Sequence, residues 1–148
     1  MIAIPRECYE SRRRLGELLV CKEKGSRMVF RKPKDLPADL IRIDNCVIKQ
    51  ASACDYLLLD WLERKHFVEL KGRHVEDGLK QIEATIPHFV PSGSDEPIWC
   101  FVVCTKYPRL ALPGSQKQQA LIRKKWNNAR IVVKTSPCEH VLTEETKR

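Results

Sequence analysis

The sequence predicts a single α/β domain with a mixed β-sheet and flanking helices, in the order α-β-β-β-α-β-α-β. The 148 residues suffice for one hydrophobic core and leave little room for a second. Short apolar runs of strand length alternate with segments of helical period along the second half. The last three predicted elements are a strand, a helix and a strand, an order that implies a right-handed parallel crossover.

The first half predicts one helix and three main strands. Residues 7–20 predict the helix, because Leu15, Leu18 and Leu19 form a short apolar stripe. A strand is expected at 28–31, followed by a loop punctuated by prolines. From residue 40 the pattern changes to strands, and the last two are joined by a connector at 62–65 that is short enough for a hairpin. The three runs are IRIDNCVIK, YLLLDW and HFVELK.

The second half predicts two helices, each followed by a strand. Residues 74–86 have apolar side chains at helical spacing, and Pro87 ends that helix. The run IWCFVVCT is continuously apolar, as in a strand buried on both faces. A helix from PGS at 113–115 to about Asn128 leads to the last strand, ARIVVKT. We expect one domain over 1–148, with its core at about 40–135 and a flexible tail at 139–148.

The composition is that of a globular protein, with 43% hydrophobic and 31% charged residues. No apolar run approaches the roughly 20 residues that span a membrane, and the segment MIAIPRECYESRRR lacks the order of a signal peptide. Seven cysteines are an odd number for a disulfide scaffold. Because Cys46, Cys100 and Cys104 lie in apolar runs, we expect reduced, buried thiols in a cytoplasmic protein.

The net charge of +8 is distributed unevenly. Residues 1–34 carry ten Lys and Arg against four acids, residues 35–96 carry seven against twelve, and residues 97–138 carry eight and no acid. Two basic flanks therefore enclose an acidic centre. One interpretation is a basic protein with solvated faces. The other is that the flanks, with clusters at Arg12, Arg13 and Arg14 and at Arg123, Lys124 and Lys125, hold a polyanion on which the centre acts.

The acidic centre contains a candidate site in CDYLLLDWLERKHFVELKG. A hairpin that turns near residues 63–64 pairs residues whose numbers sum to about 126, so that Asp55 is opposite Lys71. Side chains alternate along strands, so this register brings Asp55, Glu69 and Lys71 to one side of the sheet. A slip of one residue would separate them.

Two adjacent carboxylates repel each other unless a cation lies between them. Their hard oxygen ligands suit Mg²⁺ or Mn²⁺, which keep several waters and take phosphate oxygens as further ligands. A lysine beside the metal can orient the attacking water or stabilise charge on the phosphate. The alternative is a cross-strand pair of Asp55 and Lys71 on a solvated face, with Glu69 incidental.

The order of these elements resembles the PD-(D/E)xK nuclease superfamily, whose core is restriction-endonuclease-like. The resemblance rests on Asp55 on the second of three strands, on Glu69-Leu70-Lys71 on the third, and on the helix and strand that follow. It covers about residues 40–105, and the proline of the family name is absent, because Cys54 precedes Asp55. Archaeal-type Holliday-junction resolvases are similar in size and basicity.

The resemblance implies hydrolysis of phosphodiester bonds, with Asp55 and Glu69 as metal ligands and Lys71 as the catalytic residue near the water. Some branches place a further acidic ligand on the first helix, for which Glu17 is the first candidate and Glu10 the second. Others place a glutamine on the following helix near the site, which would be Gln81.

The sequence as a whole predicts an Mg²⁺- or Mn²⁺-dependent nuclease that acts on DNA, as a homodimer or in a larger complex. No phosphate-binding glycine motif appears, so no nucleotide cofactor is expected. The first alternative is a non-catalytic nucleic-acid-binding or complex-forming subunit that keeps the nuclease fold. The second is a basic scaffold whose partner is another protein.

Overall fold

The computed structural model describes residues 2–23, 25–71, 74–105 and 113–144, with the side chains of Lys71 and Pro113 outside the description. These residues form a single α/β domain with nine strands and two α-helices. The strands are β1 (Tyr9–Arg14), β2 (Leu18–Glu23), β3 (Ser26–Arg31), β4 (Ala38–Arg42), β5 (Tyr56–Leu59), β6 (Lys65–Lys71), β7 (Ile98–Cys104), β8 (Ala129–Thr135) and β9 (Cys138–Val141). The helices are α1 (Val75–Thr85) and α2 (Pro113–Lys125).

The strands form two sheets. The large sheet has the order β1-β4-β5-β6-β7-β8; it is antiparallel from β1 to β6 and parallel from β6 to β8. The small sheet has the order β2-β3-β9, with β2 antiparallel and β9 parallel to β3. The mixed sheet that the sequence predicts is therefore confirmed, and the small sheet is an addition to it.

The large sheet is covered on both faces. Alternation along β6 turns Phe67 toward a core that contains the buried residues of α1 and α2, and turns Val68 toward a second core shared with the small sheet. All seven residues of β7 are buried, because that central strand faces both cores. The prediction of a doubly buried strand there is confirmed.

Most elements from residue 56 onward are confirmed. The β5–β6 hairpin, both helices and both parallel connections are present, and β8 has the predicted bounds of ARIVVKT. In α1 the apolar stripe is buried against the sheet, as its spacing predicts. The strand expected at 28–31 is also confirmed, as part of β3.

The first predicted helix is wrong. Residues 9–14 form β1 and residues 18–23 form β2, with Gly16 between them at φ +100°, a conformation that would break a helix. In β2 the residues alternate, with Leu19 and Cys21 buried and Leu18 and Lys22 exposed. The backbone N–H and C=O groups that a helix would pair internally are paired between strands instead, β1 with β4 and β2 with β3.

Two further boundaries are corrected. The strand expected at 41–49 ends at Arg42, because the chain turns back there and Asn45 adopts a positive φ of 59°. The tail expected from residue 139 is ordered as far as the description reaches, since β9 pairs with β3 and Leu142 is buried. Residues 145–148 lie outside the described residues.

The expectation of uniformly reduced thiols is wrong for two cysteines. Cys8 and Cys46 form a disulfide across 38 residues, which ties the N-terminal segment to the turn after β4. The other five cysteines are free, and four of them are buried. Among the described residues, no helix is long and apolar enough to cross a membrane.

The buried His66 predicts an acid-sensitive fold. Its ring stacks on Trp99 at 4.8 Å between centroids, and burial lowers its pKa to about 3. Because the unfolded imidazole takes up a proton near pH 6.5 and the folded one resists it, stability should fall as the pH drops from 6.5 toward 3, by up to about 1.4 kcal/mol per pH unit. Urea unfolding of wild type and His66→Phe across this range measures the slope.

The variant should show a flatter dependence on pH than wild type. Replacing the exposed His88 with Gln is the matched control and should retain the wild-type slope. Equal slopes in wild type and His66→Phe would refute the assignment.

Candidate active site

Asp55 and Glu69 lie side by side where β5 begins. Pairs in the β5–β6 hairpin have residue numbers that sum to 124, as in Tyr56 with Val68, so Asp55 comes opposite Glu69 and not opposite Lys71 as the sequence predicted. The Asp55 N–H donates to Glu69 Oε1 at 3.1 Å, and the Leu70 N–H donates to Asp55 Oδ2 at 2.8 Å. Each carboxylate is thus held by the backbone of the other strand.

The register differs because Asp60 closes the turn. Its Oδ1 accepts from the N–H groups of Leu62 and Arg64, both at 2.9 Å, and its other oxygen accepts from the Arg64 guanidinium. These bonds confine the connector to residues 60–64 and centre it on Leu62. A displacement of two residues keeps the alternation of side chains, so Asp55 and Glu69 stay on one face.

The segment that delivers Asp55 is anchored to α1. The Cys54 N–H donates to Thr85 Oγ1 at 2.8 Å, and Gln81 Nε2 donates to the Ala53 carbonyl at 3.4 Å. On the other side, the Ile43 N–H donates to the Asp55 carbonyl at 2.9 Å. The backbone around Asp55 is therefore fixed from both the helix and the turn that the Cys8–Cys46 disulfide holds.

Glu69 is almost fully buried, with 2% of its surface exposed. Gly78 of α1 permits this, because a Cβ there would lie 3.3 Å from Glu69 Cγ and 3.0 Å from Val102 Cγ1. The helix consequently packs directly on the acid. Burying a carboxylate among apolar side chains is costly unless a cation or hydrogen bonds compensate.

The environment of Asp55 disfavours its charge. Its pKa is raised to about 6, chiefly by burial and with a smaller contribution from the nearby charges of Glu23 and Asp44. Hydrogen bonds from the Leu70 N–H and with the Glu69 side chain act in the opposite direction. The balance leaves a carboxylate pair that a cation would stabilise.

The donor set fits a hard divalent cation. Gln81 Oε1 is buried and has no hydrogen-bond partner, while the amide nitrogen of the same side chain binds Ala53, two residues before Asp55. Mg²⁺ uses one or two carboxylates and otherwise waters and phosphate oxygens. Within the described ranges no cluster of three His, Cys, Asp or Glu side chains has a metal-binding arrangement. A divalent cation at this site would have the carboxylates of Asp55 and Glu69 as its protein ligands.

The other predicted ligands are placed differently. Glu17 lies before β2 and lines a cavity with Arg31 and Lys34, at the end of the small sheet away from Asp55, so the structure does not bring it to the pair. It was predicted on a first helix that does not form. Glu10 lies on β1; burial raises the pKa of Tyr56, the residue after Asp55, and the charge of Glu10 adds to that shift. The Lys71 side chain lies outside the described residues, although its backbone pairs with Cys104.

The large sheet has two ends, and five of the six predicted basic residues lie at the end away from the pair. The Asp55 end is where β5 begins and β6, β7 and β8 finish; the Lys65 end is opposite. Arg14 pairs with Ala38 at the Lys65 end, next to Arg13, whereas the Arg12 guanidinium lies over Tyr9, which pairs with Ile41 toward the Asp55 end. The last turn of α2, with Arg123, Lys124 and Lys125, also lies at the Lys65 end, where the Lys125 carbonyl accepts from the Gly93 N–H.

Sequence reasoning missed the residues that support the pair. Gly78 and Thr85 interrupt an otherwise conventional helical pattern, and a glycine inside a helix signals close approach of a neighbouring element. Glu23 ends β2, beyond the helix predicted at 7–20, and Asp44 lies in the turn after β4, within the strand predicted at 41–49. Comparisons of the chain with protein-family models, with curated proteins and with solved structures found no match.

Proposed function

We propose that the chain is a divalent-metal-dependent nuclease that hydrolyses phosphodiester bonds in DNA. The observation that carries this proposal is the apposition of Asp55 with the buried Glu69, tied together by backbone hydrogen bonds. The order β4, β5, β6, α1, β7 also agrees with the core of the PD-(D/E)xK resemblance, with Asp55 just before the second of the three strands and Glu69 on the third.

The roles of the residues follow from their chemistry. Asp55 and Glu69 would hold Mg²⁺ or Mn²⁺, and the Gln81 carbonyl oxygen would accept a hydrogen bond from a coordinated water. When bound, the metal supplies positive charge at the phosphate and lowers the pKa of its water. Lys71, two residues beyond Glu69 on β6, would orient the attacking water or balance charge on the phosphate.

A panel of substrates tests the activity. Duplex, single-stranded and branched DNA and RNA are incubated with the protein in Mg²⁺ or Mn²⁺, with EDTA as the metal-free control. We expect metal-dependent cleavage of at least one DNA form. A protein that binds DNA and cuts none of these substrates would support the alternative of a non-catalytic subunit with this fold. The placement of most of the predicted basic residues at the Lys65 end favours that alternative.

Lys71→Ala should separate chemistry from metal binding. We expect the cleavage rate to fall by about a hundred-fold, the scale of one general acid–base or water-orienting group, while Mn²⁺ continues to raise the melting temperature. Lys80→Ala, which removes an exposed lysine from α1, is the control and should cut normally. Wild-type cleavage by Lys71→Ala would remove this residue from the mechanism.

A further inference from the structure

A second group of cations lies at the Asp55 end, on the side of the small sheet. Lys22 of β2 and Arg27 of β3 are directly opposite each other across the hairpin, and both are exposed. Like charges at directly opposite positions destabilise a β-hairpin. An anion bound at the two side chains would relieve this repulsion between Lys22 and Arg27.

Lys134 completes the group from β8. Two residues after it, Ser136 Oγ accepts from the Arg27 N–H at 2.8 Å and lies 3.5 Å from the Arg27 carbonyl oxygen. Burial raises the pKa of Cys138 and lowers that of His140 on the next strand in the chain, β9, and the charge of Lys134 acts to lower both. We call Lys22, Arg27 and Lys134 the hairpin cluster.

The hairpin cluster lacks internal counter-ions. Among the described residues, none of its three members has a carboxylate within ion-pair distance, and the same holds for Arg14, Arg123 and Lys124 at the Lys65 end, where Lys65 and Lys125 do pair with Glu96 and Glu83. The exposed Glu23 follows Lys22 in the chain. Its single negative charge does not neutralise three cations, so the group keeps a net positive charge. Lys24 follows Glu23 in the sequence and lies outside the described residues.

The hairpin cluster lies at the same end of the large sheet as the carboxylate pair, on the face that carries the small sheet, whereas the Glu69 side chain packs on α1. The Tyr56 hydroxyl donates to the Lys22 carbonyl at 3.0 Å, and Tyr56 is the residue after Asp55. Unpaired cations at the same end as an acidic site can bind the backbone of a polyanion while the phosphate that reacts lies at the two carboxylates.

We propose that the hairpin cluster, rather than the basic groups at the Lys65 end, binds the phosphate backbone of duplex DNA. This inference rests on the proposed nuclease function, because it assigns the surface along which the substrate reaches Asp55 and Glu69. Each cation that contacts a phosphate releases a condensed counter-ion, so the binding constant carries a measurable dependence on salt.

The test compares two triple variants of equal net charge. One is Lys22→Gln, Arg27→Gln, Lys134→Gln; the other is Arg14→Gln, Arg123→Gln, Lys124→Gln at the Lys65 end. Binding of short duplex DNA is measured in EDTA, so that no cleavage occurs, over a range of NaCl concentrations. Melting temperatures confirm that both variants fold. We expect the hairpin variant to reduce the slope of log affinity against log salt by about 0.9 per lost contact, and the Lys65-end variant to retain the wild-type slope.

The inference is overturned if the hairpin variant keeps the wild-type slope, if both variants lose it equally, or if wild type shows no salt-dependent binding. Cleavage by wild type with Mg²⁺ is scored separately. A protein that cuts DNA but binds it through the Lys65 end refutes the hairpin cluster alone. Binding through the hairpin cluster without any cleavage refutes the nuclease alone.

Discussion

Asp55→Asn and Glu69→Gln should each lower the rate of DNA cleavage by at least about a thousand-fold. Loss of a metal-holding carboxylate removes several kcal/mol of transition-state stabilisation, and each 1.36 kcal/mol is a factor of about ten in rate. Both substitutions keep the size of the side chain, so the hydrogen bonds from the Leu70 and Asp55 backbone amides retain an acceptor. Single-turnover cleavage of the best substrate in Mg²⁺ measures the effect.

The same variants have a readout that does not depend on activity. Mn²⁺ should raise the melting temperature of wild type and have little effect on Asp55→Asn or Glu69→Gln, because ligand binding to the folded state stabilises it. Asp95→Asn removes an exposed carboxylate at the Lys65 end and is the control for charge alone. Cleavage by Asp55→Asn at the wild-type rate would disprove the assignment of the site.

In metal-free buffer Asp55→Asn should be more stable than wild type above pH 6. The folded pKa of Asp55 is raised to about 6, so its contribution to stability is present below its unfolded pKa and is lost as the pH rises through 6. Allowing for its partial exposure, we expect about 1–2 kcal/mol, or roughly 2–8 °C in melting temperature. His66 gives the opposite dependence of stability on pH, but it is present in both proteins. The difference in stability between wild type and Asp55→Asn therefore reports the contribution of Asp55.

Phe30→Ala should strongly destabilise the domain. Phe30 is fully buried between the two sheets, and its ring meets that of Phe101 edge to face at 5.5 Å. Removing a buried phenylalanine costs about 3–5 kcal/mol, so the melting temperature should drop by roughly 10 °C. Leu62→Ala, at a side chain that is 52% exposed, is the control and should shift it by little.

The outcome for Phe30→Ala bears on the architecture. A small effect would mean that the small sheet contributes little to the stability of the domain. A large effect with intact Mn²⁺ stabilisation would show that the carboxylate pair depends on the large sheet and α1 rather than on the docking of β2, β3 and β9.

The elements predicted well from sequence are those whose partners are close in the chain. The β5–β6 hairpin and α1 lie next to one another, and their apolar spacing alone fixes which faces are buried. Asp55 and Glu69 come together for the same reason. The register was displaced by two residues because the side chain of Asp60, and not the length of the connector, decides where the hairpin turns.

The elements predicted poorly depend on distant partners. The polar run CEHV becomes β9 only because it pairs with Met28–Arg31, more than 100 residues earlier. Leucines at 15, 18 and 19 are compatible with a helix, and only pairing with β3 and β4 makes those segments strands. The Cys8–Cys46 bridge could not be read from seven cysteines, since an odd count allows many pairings.

The close packing of Gly78 on Glu69 has a consequence for binding. A free glutamate side chain samples many rotamers, and ordering it costs up to about 2 kcal/mol of conformational entropy. Here the helix already restricts the Glu69 side chain when the domain folds. A ligand that meets this carboxylate therefore encounters a preorganised group, and the entropy of ordering it does not reduce the affinity.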